Sequence, residues 1–390
     1  MRDLVLVVNA GSSSIKLALY RLESRGLRLD FRGLAEGLGS GRGGRLRLHD
    51  ADAEQVLDES LASADHAPAM DRFLEWLDEG DASGRLVAVG HRVVHGGPDR
   101  SEPVILNNRV LKELEALSPL APLHQMHNLA PAVRLAESRP DLLQVACFDT
   151  AFHRTQPQIA QRFALPRRFA EQGVLRYGFH GLSYESIGNW LRHHRPALHR
   201  GHVVIAHLGN GASVCGLRDG RSLATSMGFT ALDGLPMGTR CGSLDPGVVL
   251  YLMDREGMDA RQIEDLLYRR SGLLGMSGIS HDMRVLLESG ESAATEAIAI
   301  YCYRAAREIA SVATGIGGLD ALVFTAGIGE NAPAVREQIC RHLRWLGVNL
   351  NVAANAGDAL EIGGDGVPVL VVPTDEEGEI ARQALTLAAG

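Results

Sequence analysis

The chain has 390 residues, 45% of them hydrophobic, and carries a formal net charge of −8. That length suits two domains with ordinary apolar cores. The acidic balance weighs against long-range attraction to nucleic acid or to an anionic membrane surface, so neither partner is expected.

In chain order, Leu4–Val8 is an apolar run, Asn9-Ala10-Gly11-Ser12-Ser13-Ser14 a turn, and Ile15–Tyr20 a returning strand, together a hairpin. Gly33 to Gly44, rich in Gly and Arg, reads as a surface loop. Helical spacing appears at Pro68–Leu77 and Asn108–Leu117, with a short buried strand, Leu86–Val89, between them. Val145–Phe148 is a strand that ends on Asp149. A second hairpin, Val203–His207 and Ser213–Leu217 joined by Leu208-Gly209-Asn210-Gly211-Ala212, repeats the first and marks a duplication at domain scale. Helices are expected at Asp245–Arg255, Asp259–Arg270, Glu291–Ile316 and Ala332–Leu346. The strand Ala321–Thr325 runs into Ala326-Gly327-Ile328-Gly329-Glu330-Asn331 and a helix. The strand Val369–Val372 precedes Pro373-Thr374-Asp375-Glu376-Glu377 and a terminal helix. The expected fold is α/β with two duplicated lobes and a ligand cleft where strand ends and helix starts converge.

Five scattered cysteines, Cys147, Cys215, Cys241, Cys302 and Cys340, form no CxxC pair. This argues against a disulfide framework and a zinc site and fits thiols in a reducing cytoplasm. No apolar run reaches the length of a membrane span, and the N-terminus lacks the layout of a secretory leader.

The chemistry-bearing residues gather in short motifs. In the first loop, Gly11 and three serines let backbone N–H groups and hydroxyls approach phosphate oxygens, Lys16 offers a point charge, and Asn9 offers an oxygen to a metal or its water. A plain serine-rich turn is the competing reading. His207-Leu208-Gly209-Asn210-Gly211 has the same backbone logic, although Asn-Gly is also the usual hairpin signal. Gly327 to Asn331, between a strand and a helix, suits a flat ligand such as adenine or simply tight strand–helix packing. Arg92, just past a buried strand, and Arg240, in a Gly-flanked loop, are candidate clamps for a carboxylate or phosphate. Both could equally be solvated surface residues. Asp149 ends an apolar strand and His180 lies between aromatics and glycines.

Together these motifs resemble the acetate kinases, within the acetate and sugar kinase, Hsp70 and actin superfamily. The matching stretches are Asn9 to Lys16, His91 to Gly97, Phe148 to His153, Tyr177 to Gly181, His207 to Ser213, Met237 to Arg240, Phe324 to Asn331 and Pro373 to Glu377. They stand in the family's order over nearly the whole chain.

The resemblance implies a ribonuclease H-like, actin-like ATPase fold. An N-terminal acceptor lobe, 1–150, would be completed by a terminal helix at 378–390, and a nucleotide lobe would span 151–377. It implies reversible transfer of the ATP γ-phosphoryl group to acetate, with ATP or ADP as co-substrate and Mg2+ (Mn2+ as an alternative) held by Asn9 and Glu376. Lys16 and His207, Leu208, Gly209, Asn210 and Gly211 would meet the phosphates. Asp282, Met283 and Arg284 with Gly327, Ile328, Gly329, Glu330 and Asn331 would hold the adenosine. Arg92 would bind the carboxylate, and Asp149, His180 and Arg240 would be catalytic. Val94, Leu123, Phe179 and Ala231 would line the methyl pocket. A cytoplasmic homodimer is implied as well. The sequence departs from the family where Gln125-Met126-His127-Asn128 follows Leu123-His124, at Ala231 in place of a usual proline, and at Met283 in place of Phe. Propionate or butyrate as acceptor, and more remotely a non-kinase actin-like or Hsp70-like ATPase, are the alternatives.

Overall fold

The computed structural model describes every residue except Met1, Ser12, Arg25, 40–42, 62–64, 81–83, 122–124, Asp358 and Gly390. The chain forms two compact units, Met1–Phe152 with Asp375–Gly390, and His153–Thr374.

The first unit is built on an eight-stranded sheet. Its strands are β1 (Asp3–Ala10), β2 (Ser14–Glu23), β3 (Gly26–Glu36), β4 (Gly44–Asp50), β5 (Gln55–Leu61), β6 (Arg85–Val93), β7 (Val104–Ile105) and β8 (Gln144–Phe148), in the order β5-β4-β3-β2-β1-β6-β8-β7. β1 is antiparallel to β2 and parallel to β6, and β6 is parallel to β8. β1 is an unbroken apolar run because both its faces are covered. Leu4, Leu6 and Val8 join a core with Phe73 and Trp76 of the helix His66–Asp78. On the opposite face the terminal helix, Glu376–Ala388, packs on β1, β6 and β8. That approach is close: a Cβ on Gly90 would lie 2.5 Å from Ile380 Cγ2.

The stretch from Gly33 to Gly44 is not one loop. Gly33 to Glu36 belong to β3, with Gly33 paired to Leu17 and to Leu48. A Cβ at Gly33 would come within 2.6 Å of a Leu48 methyl, so here glycine makes room for a neighbouring strand's side chain and does not mark a turn. Arg92, expected past its strand, sits within β6.

The second unit repeats the central pattern. β9 (His202–Leu208), β10 (Ala212–Arg218), β11 (Arg221–Thr225), β12 (Ala321–Thr325) and β13 (Val369–Val371) run in the order β11-β10-β9-β12-β13. β9 is antiparallel to β10 and parallel to β12, which is parallel to β13. This reproduces β3-β2-β1-β6-β8 in order and sense, the topological form of the duplication. The long helix Ser292–Ile316 covers β9, β10 and β11. The segment Ala326–Asn331 is itself a helical turn, followed by Pro333–His342. No helix among the described residues is long and apolar enough to cross a membrane.

Candidate active site

In the first unit, strand alternation decides which side chains meet. Asn9 lies opposite Lys16 across the β1–β2 pair, so both project from one face. Val7 pairs with Gly90 and Val8 with His91, which sets Arg92 beside Asn9 on the face covered by the helix that opens at Glu376. Asp149 follows directly where β8 ends, its N–H bonded to the Val93 carbonyl.

The side chains close the set. Arg92 donates from Nε to Asp149 Oδ1 (3.1 Å), from Nη2 to Asp149 Oδ2 (2.7 Å), and from Nη1 to Asn9 Oδ1 (3.3 Å). Asp149 is 2% exposed. Burial works against the Arg92 charge, but Asp149 and Glu376 outweigh it and hold the guanidinium firmly charged. Burial raises the Glu376 carboxyl above its ordinary range, Arg92 and Lys16 pull it back, and Glu377 adds to the rise. Lys16 itself is exposed.

Val94 is buried just beyond β6. Its N–H donates to Asn128 Oδ1 (3.0 Å), and Asn128 Nδ2 donates to the Ala10 carbonyl. Gln125 exchanges hydrogen bonds with the His95 backbone through Oε1 (3.3 Å) and Nε2 (3.0 Å). The altered Gln125–Asn128 segment therefore ties the ends of β1 and β6 together. Leu123 and Ser12 lie outside the described residues.

In the second unit the loop after β9 faces two ways. Gly209 and Asn210 line a cavity of about 410 Å³ together with His281, Asp282, Met283, Arg284, Gly327, Ile328 and Asn331. Asp282 caps its helix by accepting from Arg284 N–H (2.9 Å), and the Arg284 side chain holds its carboxyl down at about 2. Gly329 and Glu330 do not line the cavity. The Glu330 carboxylate turns back to accept from Ala326 N–H (2.7 Å) and Thr374 N–H (3.3 Å). Leu208 is fully buried in the core.

The other side of that loop gathers His207, Gly211, His180 and Arg240. The imidazoles of His180 and His207 stack with centroids 4.1 Å apart. A Cβ at Gly211 would fall 3.2 Å from His180 Nε2 and 4.0 Å from Arg240 Nη1. Glycine there keeps open the space on which both donors converge. Arg240 Nη1 also donates to the Ala231 carbonyl (3.0 Å). The preceding loop is set by Gly178, whose φ of +73° and contact with the His153 ring admit no side chain. His153, pushed down to about 4 by burial, is neutral and bonds the Phe179 carbonyl (2.9 Å). Phe179 is buried, and His180, at φ +59°, starts the helix Gly181–His194.

Residue patterns alone did not mark several supporting groups. Arg336, 0% exposed, donates to the carbonyls of Gly329 (2.9 Å) and Glu330 (2.7 Å) and to Asn355 Oδ1 (2.8 Å), bracing the turn beside the cavity. Ser183, Tyr184 and Asn128 are also structural partners of site residues, and His281 lines the cavity. A buried arginine inside a helical pattern was the only available signal for Arg336.

Two sheets of one topology and a cavity of nucleotide size are those of the duplicated actin-like ATPase fold. The pattern of the acetokinase family matches residues 4–382, and the chain belongs to that family. It is 50% identical over 399 residues to the acetate kinase of Methylocella silvestris, covering 99% of this chain and 98% of that protein. It is likewise 50% identical over 397 residues to that of Rhodopseudomonas palustris strain TIE-1, covering all of both. Among solved structures, a propionate kinase from Francisella tularensis superposes with TM-score 0.92 at 35% identity, covering 98% of this chain and 99% of that one. Porphyromonas gingivalis acetate kinase does so with TM-score 0.88 at 37% identity, covering 99% of each.

Proposed function

We propose that this protein phosphorylates acetate reversibly with ATP, giving acetyl phosphate and ADP. The observation that carries the reading is the charged, buried-carboxylate-anchored Arg92 at the end of β6. Asp149 fixes its guanidinium, and in this reading its remaining N–H groups meet the acid, a role a plain ATPase does not need.

Acetate is ionised at neutral pH, so the reaction needs positioning and charge compensation more than a base. A carboxylate oxygen attacks the γ-phosphorus in line, the new C–O–P bond forms, and the bond to the ADP oxygen breaks with no proton transferred. Arg92 fixes the acid. Asp149 orients Arg92 and takes no proton. Arg240 and His180 donate to the equatorial phosphoryl oxygens. The cavity beside Gly209 and Asn210 takes the adenosine and the loop through Gly211 the phosphates, to which the family resemblance also assigns Lys16. The family resemblance assigns Val94, Phe179 and Ala231 to the acid's carbon tail, along with Leu123, which lies outside the described residues.

Asn9 and Glu376 fit Mg2+, because both offer hard oxygen donors and the partly buried Glu376 carboxyl, raised by burial, is the kind of group a cation stabilises. When bound, the ion would neutralise phosphate charge. The protein works as a cytoplasmic homodimer in this reading. Support comes from the helix Pro246–Asp254, which buries none of its residues and leaves Leu250 61% and Tyr251 55% exposed. Propionate is a second acceptor, favoured by Ala231 standing where the family resemblance implies a proline.

The test is ADP release measured against acid and metal. Release that depends on both acetate and Mg2+ supports the reading, and equal release without acid overturns it. A phosphorylated enzyme turning over as fast as the whole reaction would overturn direct transfer.

A further inference from the structure

Ser213 Oγ has two partners in the second unit, His180 Nδ1 at 2.8 Å and the Tyr184 hydroxyl. Ser213 and Tyr184 are both 0% exposed. Ser213 lies on β10, two residues past Gly211. Tyr184 lies one turn into the helix that His180 starts. The neighbouring residue, Ser183, meets His207 Nδ1 at 2.8 Å. Both rings of the stack are thus held at Nδ1 by serine hydroxyls, and the left-handed backbone at His180 turns its ring toward β10.

A serine hydroxyl has one proton to give. If Ser213 donates to His180 Nδ1, its oxygen accepts from Tyr184 and every proton in the chain is used. The phenol, the more acidic hydroxyl, is the natural head of such a chain. The imidazole is then neutral with its proton on Nε2, the atom that faces the space beside Gly211 and Arg240. The reverse chain would put a lone pair on Nε2, which repels a phosphate oxygen. A second positive charge on His180 is opposed by Arg240, which shares that space. Choosing between the tautomers is a second-neighbour task, as it is for metal-binding histidines.

We propose that Ser213 and Tyr184 are positioning residues. They form a Tyr184→Ser213→His180 hydrogen-bond relay that locks His180 in the Nε2–H tautomer, so that it donates to the transferring phosphoryl group. The proposal rests on the reading of His180 as a phosphoryl contact.

The test combines spectroscopy and kinetics on the full-length enzyme with Mg2+ and ADP. Two-bond proton–nitrogen correlation spectra of protein labelled with 15N-histidine report each ring's tautomer, and His180 is assigned by its loss in His180→Gln. The wild type should show the Nε2–H pattern. Ser213→Ala should give mixed tautomers and a kcat lower by about tenfold, less than the loss of a whole oxyanion donor. KM for ATP and acetate should stay within about threefold, since ground-state binding is untouched. Tyr184→Phe keeps the ring's packing and should shift the tautomer in the same direction, which preserves the test if Ser213→Ala fails to fold. An Nδ1–H pattern in the wild type, or unchanged tautomer and kcat in both variants, would overturn the relay. Wild-type kcat in His180→Gln is a distinct outcome and would overturn the role of His180 itself.

Discussion

Arg92 and Asp149 meet fork to fork, with both carboxylate oxygens occupied by one guanidinium at 3.1 and 2.7 Å. A carboxylate so engaged is a poor proton acceptor and a good orienting group. Asp149→Asn should therefore raise the acetate KM by about tenfold, the scale of one weakened charge-assisted hydrogen bond. kcat at saturating acetate should fall less. Steady-state kinetics with varied acetate decide this, and a collapse of kcat at unchanged KM would show that Asp149 acts as a base after all.

Arg240 should behave differently. Its guanidinium is anchored by the Ala231 carbonyl and converges with His180 on the space beside Gly211. Arg240→Ala should lower kcat by roughly two to four orders of magnitude, the range for removing a preorganised charged donor. KM values should move little. Near wild-type turnover would remove Arg240 from the reaction.

The proposed Mg2+ role of Glu376 ties metal binding to pH and stability. Its carboxyl is raised in the folded state, so between the unfolded and folded values the native protein binds more protons than the unfolded chain. Stability from this group is then greater below that window and declines as pH rises through it. Mg2+ needs the ionised form, so its apparent affinity should weaken as pH falls. Glu376→Gln should melt no lower than the wild type at neutral pH without metal, yet need more Mg2+ for activity. Thermal melts and Mg2+ titrations across pH test both halves, and an unchanged Mg2+ requirement would move the metal elsewhere.

Much of the fold was legible because β1, β9 and β12 are apolar runs buried on both faces and bounded by Gly- and Ser-bearing turns. The site loops were legible for the same reason: phosphate chemistry asks for small residues at strand ends. Gly33 misled because a glycine that admits a neighbour's side chain looks like one that makes a turn. Glu330 matched its motif, yet its carboxylate serves the backbone N–H groups of Ala326 and Thr374, which only the path of the chain decides. Nothing in the sequence named the partners of Tyr184 and Arg336, since each reaches its partner from a helix whose period reports burial and not what the polar tip bonds.

Arg336 shows what such a residue is worth. Arg336→Met would strip the Gly329 and Glu330 carbonyls and Asn355 of a buried charged donor. The loss should be about 3 kcal/mol or more of stability, with a raised KM for ATP as the turn beside the cavity loosens. Denaturant unfolding and ATP kinetics check both, and a variant with normal stability would show that the brace is dispensable.

The proposed function makes Ala231 the position to probe for selectivity toward the acid. Acetate should be the best substrate, with propionate within about tenfold in kcat/KM, because a pocket discriminates one methylene by roughly 1–3 kcal/mol. Butyrate should be clearly worse. Ala231→Pro keeps the carbonyl that Arg240 uses and should widen the gap between acetate and propionate. An unchanged ratio would clear this residue of any part in selectivity.

Trapping the product with hydroxylamine tests the central claim most directly. Enzyme, ATP, Mg2+ and acetate should yield acetyl hydroxamate in step with ADP, with less from propionate and least from butyrate. ATP consumed to ADP and inorganic phosphate, with no hydroxamate from any of the three acids, would contradict the assignment of a carboxylate kinase.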